Sequence, residues 1–169
     1  MDGRTGEPSR LLVFTVGDVA FALPIPAVRR ILPMPWLLRP PLAPPVLAGV
    51  FDHQGATVAV LRPEVLLGLA PLDFALYQPI VLLDADGGRV GLRVGYADAV
   101  VDADALTSIP LDPTMPFNGC AVAVLRGADG RTVHRLAPDR LLTRAQAVRL
   151  RSLRHLAAQR ASGWREAAP

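Results

Sequence analysis

The sequence predicts a mainly β chain folded as two small barrels that share a core, with a helix at the C-terminal end. Three observations carry this. Short apolar strands are separated by turn signals roughly every 8–12 residues, the spacing of a β barrel or sandwich. The second half repeats the first: Thr57-Val58-Ala59-Val60-Leu61 returns as Thr132-Val133-His134-Arg135-Leu136, and Pro63-Glu64-Val65-Leu66-Leu67 as Pro138-Asp139-Arg140-Leu141-Leu142, both 75 residues on. Neither half is large enough to be comfortable alone, so a shared core is expected. Finally, Thr143-Arg144-Ala145-Gln146 fits a capping box ahead of a helix.

Taken in order, residues 1–10 are polar and read as a disordered N-terminus. Residues 11–16 read as a strand and Gly17-Asp18 as a hairpin turn. Residues 19–25 alternate, with Val19, Phe21, Leu23 and Ile25 on one face. Pro24 and Pro26 place an edge or a strand end there. Val28, Ile31 and Leu32 form one side of a short helical turn, with Arg29 and Arg30 on the other. Residues 33–45 hold six of the 17 prolines and read as an extended surface connection anchored by Trp36 and Leu37.

A polar-tipped turn, Asp52-His53-Gln54-Gly55, leads into an apolar strand at 58–61 and a helix start at Arg62-Pro63-Glu64. Residues 70–79 are a linker, and the pattern restarts at Ile80. Val90, Leu92, Val94, Ala97 and Val100 lie 69 residues after Phe21, Leu23, Ile25, Val28 and Ile31. Residues 119–125 form a strand, and Ala128-Asp129-Gly130 turns into the last one at 132–136. The barrels are therefore expected at about 11–69 and 80–142, followed by an arginine-rich helix and tail at 144–169. That helix should run to about Ala161, with Ala145, Leu150, Leu153, Leu156 and Ala157 on its apolar side.

Composition narrows the function. The chain has 169 residues, 51% apolar but only 5% aromatic, so aliphatics must fill the core. No stretch approaches the roughly 18 apolar residues of a membrane span. The N-terminus has no apolar run behind its charges, so no signal peptide is read there. A single cysteine excludes an internal disulfide, and a reducing, cytoplasmic setting follows. All 18 basic residues are arginine. The absence of lysine excludes P-loop nucleotide hydrolysis and Schiff-base catalysis. Residues 140–169 hold seven arginines and one glutamate, a charge of +6, whereas residues 1–139 hold eleven arginines and fourteen acids, a charge of −3.

Each polar cluster has a structural reading. Asp84-Ala85-Asp86 starts like a calcium loop, but the twelfth position is Gly95, not glutamate. Asp102 and Asp104 fail likewise at Pro113. Both are turns. His53 beside Asp52 resembles a base with its orienting carboxylate, but adjacent residues on one turn seldom face each other. His134 belongs on a solvated or rim face of its strand, and Cys120 reads as a small buried hydrophobe. No zinc spacing is present. No catalytic group, cofactor or metal is expected, and a binding module remains.

The ordered set Leu12-Val13-Phe14, Gly17-Asp18, Phe21-Ala22-Leu23-Pro24-Ile25 with Val28 and Ile31, Pro45-Val46-Leu47-Ala48-Gly49-Val50 and Val90-Gly91-Leu92-Arg93-Val94 resembles the CheW-like chemotaxis coupling proteins over about residues 10–143. The turn Asp52-His53-Gln54-Gly55 stands where that family has asparagine-leucine-arginine-glycine. The resemblance implies two five-stranded SH3-like barrels. It also implies a non-enzymatic bacterial adaptor that joins chemoreceptor hairpins to the regulatory domain of a CheA-type histidine kinase. The hairpin would enter the groove between barrels. Partner-binding residues are then expected at Val28, Arg30, Ile31, Asp52, His53, Gln54 and Arg62. Arg30 replaces the family's glutamate, Gln54 its turn arginine, and Arg62 and Gly95 two aspartates. Such reversals point to a dedicated kinase with complementary acidic residues, or to a chemosensory-like system controlling pili or another output. A second reading is a nucleic-acid or anionic-surface module acting through the arginines of 140–165.

Overall fold

The computed structural model describes residues 9–73, 77–85, 88–112, 114 and 117–166, without the side chains of Asp98 and of residues 164–166. The disordered start expected at 1–10 lies outside these for residues 1–8. In the first half, β1 (Arg10–Val16) and β2 (Val19–Pro24) form a hairpin. A 3-10 turn at Ile25–Ala27 leads to β3 (Val28–Leu32), then β4 (Leu47–His53), β5 (Ala56–Leu61) and the short helix α1 (Pro63–Leu66). The second half repeats this with β6 (Ile80–Ala85), β7 (Gly88–Arg93), β8 (Ala97–Asp102), an added β9 (Thr107–Ile109), β10 (Ala121–Arg126), β11 (Thr132–Leu136) and a 3-10 turn at Pro138–Arg140 in the place of α1, after which comes the helix α2 (Arg144–Glu166).

The strands make two sheets, ordered β8-β1-β2-β11-β10-β9 and β3-β6-β7-β5-β4. Replacing each strand of the second by its repeat counterpart gives the first, less β9. The duplication is therefore structural, but the barrel boundaries at 11–69 and 80–142 are corrected. The first sheet joins the hairpin of the first half to four strands of the second, and the second sheet joins the hairpin of the second half to three strands of the first. The junctions are the parallel pairs β2–β11, with His134 opposite Phe21, and β5–β7, with Ala59 opposite Val90.

Strand periodicity explains why the halves interleave. Alternate residues of β1 serve opposite faces. Leu12 and Phe14 enter the large core between the sheets, where they meet Leu61, Val81, Leu83 and Leu92. Leu11 and Val13 fill a smaller cluster with Ala22, Leu125 and Val133. The second sheet has its own equivalent in Val58, Val60, Ile80 and Leu82. Two-sided burial accounts for the unbroken apolar runs at 11–14 and 80–83.

Three local expectations are corrected. Residues 28–32 are a strand, not a helical turn; the turn precedes them. Val28 lies opposite Leu83 and Ile31 opposite Val81, with a register shift between Val28 and Arg30. β-branched side chains next to an open sheet edge favour this pairing. Trp36 is no anchor, since it is 92% exposed. Leu37 does pack, against the Val58–Ile80 cluster, and a Cβ on Gly49 would lie 2.8 Å from its own. The connection thereby links the two edges of the second sheet: it leaves β3 and pairs with β4 through Leu38 and Val50. Helix α2 runs on to Glu166, and its core face is Ala147, Leu150, Leu153 and Ala157. At about 100° per residue, Ala145 and Leu156 sit roughly 140° and 120° away from Leu150, and both are exposed.

Candidate functional site

Strand β3 forms one edge of the second sheet. Val28 is half-buried against the core between the sheets. Ile31 is 44% exposed and Arg30 is exposed. Arg29 does not share that freedom: its Nε donates to Asp84 on β6. Arg89 lies 3.9 Å from the same carboxylate. The edge therefore presents an aliphatic side chain beside a cation.

The β4–β5 turn is a two-residue loop. His53 pairs with Ala56, and Gln54 and Gly55 have φ of 53° and 81°, the left-handed pair of a type I′ hairpin. Asp52 accepts a hydrogen bond from the Gly55 N–H at 3.0 Å, so its carboxylate holds the turn. The His53 ring stands 6.0 Å from that of Phe51.

Arg62 lies at the other end of β5, on the order of 20 Å from that turn at about 3.3 Å per residue. It lines a cleft of about 560 Å³ with Pro33, Pro35, Trp36, Tyr77 and Arg93. None of Val28, Arg30, Ile31, Asp52, His53 or Gln54 lines it. The structure thus separates Arg62 from the other expected partner-binding residues.

Beside the cleft, Arg93 donates to Glu64 at 2.7 Å, with both side chains less than a tenth exposed. This buried pair was missed from sequence. Its signal was a charge in the apolar alternation at Leu92-Arg93-Val94. The Nε of Arg62 and the Oε2 of Glu64 are enclosed without a hydrogen-bond partner among the described residues.

His134 and Cys120 are packed into the interior. His134 is 9% exposed, not on a solvated rim. Parallel pairing of β11 with β2 puts its ring 5.7 Å from Phe21 and 4.8 Å from Phe117, with Nδ1 3.3 Å from the Ala20 carbonyl. Cys120 is buried, and burial pushes its thiol pKa up. Among the described residues no three of His, Cys, Asp and Glu could share a metal ion. Their helices include none long and apolar enough to cross a membrane.

Interleaved barrels with an aliphatic edge strand and an aromatic cleft define a small, mainly β interaction domain. The model of the CheW-like domain matches residues 10–146, and the chain belongs to that family. A probable chemotaxis protein CheW from Rhizobium etli is 30% identical over 104 residues, a match spanning 62% of this chain and 65% of that protein's length. The crystal structure of the scaffolding protein TtCheW from Thermoanaerobacter tengcongensis superposes with a TM-score of 0.69 at 16% identity, covering 85% of this chain and 93% of that one. At that identity the likeness concerns the fold.

Proposed function

We propose that this chain is a non-catalytic cytoplasmic adaptor in a chemosensory-type pathway, joining a CheA-type histidine kinase to a receptor's helical hairpin. The observation that carries the reading is β3, an edge strand with Ile31 exposed and Val28 lying against the core between the barrels. A helix laid there would bury its apolar stripe on these side chains. Membership of the CheW-like family supports the choice of partners. Arg30, exposed and in no ion pair among the described residues, favours a partner with acidic residues, and the turn residues Asp52, His53 and Gln54 are assigned to partner binding as part of the same proposal.

Calorimetry with the kinase regulatory domain and the receptor hairpin of the same organism tests the reading. Ile31→Asp and Arg30→Glu should each weaken binding of at least one of them by roughly tenfold. Absence of binding to both partners, or equal affinities in both variants, rejects it.

A further inference from the structure

We propose that the cleft at the mouth of the second barrel is a docking site for an extended acidic peptide segment of a partner protein. The cleft starts at Pro33, just past the end of β3, but Val28, Arg30 and Ile31 do not line it, so the proposal does not depend on what binds them.

The cleft has the make-up of a recognition site. Trp36 is 92% exposed and Tyr77 94% exposed, and both stand on its rim. Large aromatics held in water beside an arginine are the residue types that dominate binding energy at interfaces. The wall is prepaid in entropy, because Pro33 and Pro35 fix their own backbone angles and Leu37 is pinned against Gly49.

The charge of the cleft selects the occupant. Arg93 is matched by Glu64, which leaves Arg62 as the excess cation lining the space. Its Nε–H is enclosed with no acceptor among the described residues. The guanidinium that lines the cleft matches a carboxylate geometrically. One excess cation fits a carboxylate side chain flanked by apolar residues. It does not provide the row of cations that a phosphate backbone requires.

The repeat supplies a comparison inside the molecule. In the first barrel the counterparts of Met34 and Ala48, Ala103 and Ala123, line one opening of about 350 Å³, while those of Arg62 and Arg93, Ala137 and Pro24, line another of about 410 Å³. Neither has an aromatic lining residue or the paired arginines of the cleft. The aromatic, arginine-based cleft is therefore not a consequence of the barrel fold itself; it belongs to one copy.

The test is selection of a phage-displayed random dodecapeptide library on the immobilised full chain. The selected peptide is then titrated into the Trp164→Phe variant, in which Trp36 is the remaining indole. Enriched peptides should carry Asp or Glu beside proline or aliphatic residues, and should shift Trp36 fluorescence saturably. Arg62→Gln, and Trp36→Ala followed by calorimetry, should each weaken binding by roughly tenfold, while Ile31→Asp leaves it unchanged. No enrichment, basic consensus peptides, or full affinity in Arg62→Gln and Trp36→Ala overturns the proposal. A larger Trp36 response to oligothymidylate than to the peptide transfers the cleft to nucleic acid. A concentration-dependent dimer lost in Trp36→Ala transfers it to a second copy of this chain. Either result also overturns it.

Discussion

Glu64 and Arg93 form an ion pair of 2.7 Å with side chains 6% and 8% exposed. Removing one partner leaves a buried charge without compensation, at about 3–5 kcal/mol. Glu64→Leu should lower the urea midpoint accordingly, and Glu64→Leu with Arg93→Met should recover most of the loss. A double variant as unstable as the single would show that the pair is not coupled. Cys120 gives a pH-dependent prediction. Burial raises its thiol pKa above the thiol's ordinary value, so over that range the native chain holds the proton that the unfolded chain releases. Its stabilisation is present below the thiol's ordinary range and drains away as pH climbs above it. Denaturant melts of the wild type should therefore weaken more steeply with alkaline pH than those of Cys120→Ala. Cys120 was legible as a buried hydrophobe because an apolar strand surrounds it. His134 was not, because the aromatic rings that enclose it come from Phe21 and Phe117, remote in sequence.

Helix α2 begins as its sequence dictates. The Thr143 hydroxyl accepts the Gln146 N–H at 3.2 Å, and the Gln146 side chain accepts the Thr143 N–H at 2.9 Å. What followed was less legible, since arginines interrupt both faces. Leu150 is 2% exposed and seals the core between the sheets. Arg154 donates to the Arg89 carbonyl at 3.0 Å, and burial with nearby Arg151 pulls its guanidinium pKa below the usual range. Beyond Ala157 the described side chains are exposed. A chain ending at residue 158 should melt within about 2–4 °C of the full chain, whereas one ending at 143 should lose roughly 2–5 kcal/mol with Leu150. Equal melting of both would remove the helix from the fold's support. Strand β3 shows the limit of local pattern. Val28 and Ile31 suit one face of a helical turn by spacing, and the open edge of β6 decided for a strand.

Across the whole molecule, interleaving makes the two halves interdependent. β1 and β2 find their outer neighbours, β8 and β11, in the second half, while β5 finds β7 there. Residues 1–73 and 77–169 produced separately should each lack cooperative unfolding, and mixing them should restore it. Independent folding of either half would contradict the topology. The sequence alone determined that the chain is mainly β, that it is duplicated with offsets of 69 and 75 residues, and that a capped helix ends it. Those are properties of periodicity, turn chemistry and local hydrogen bonding, which act over a few residues. Tertiary structure alone decided which hairpin completes which sheet, that Trp36 stands in solvent on the cleft that Arg62 also lines, and that Arg62 lies apart from the Gln54 turn. Strand pairing and burial are set by partners distant along the chain, and an alternating pattern specifies a face to bury without specifying the neighbour that buries it.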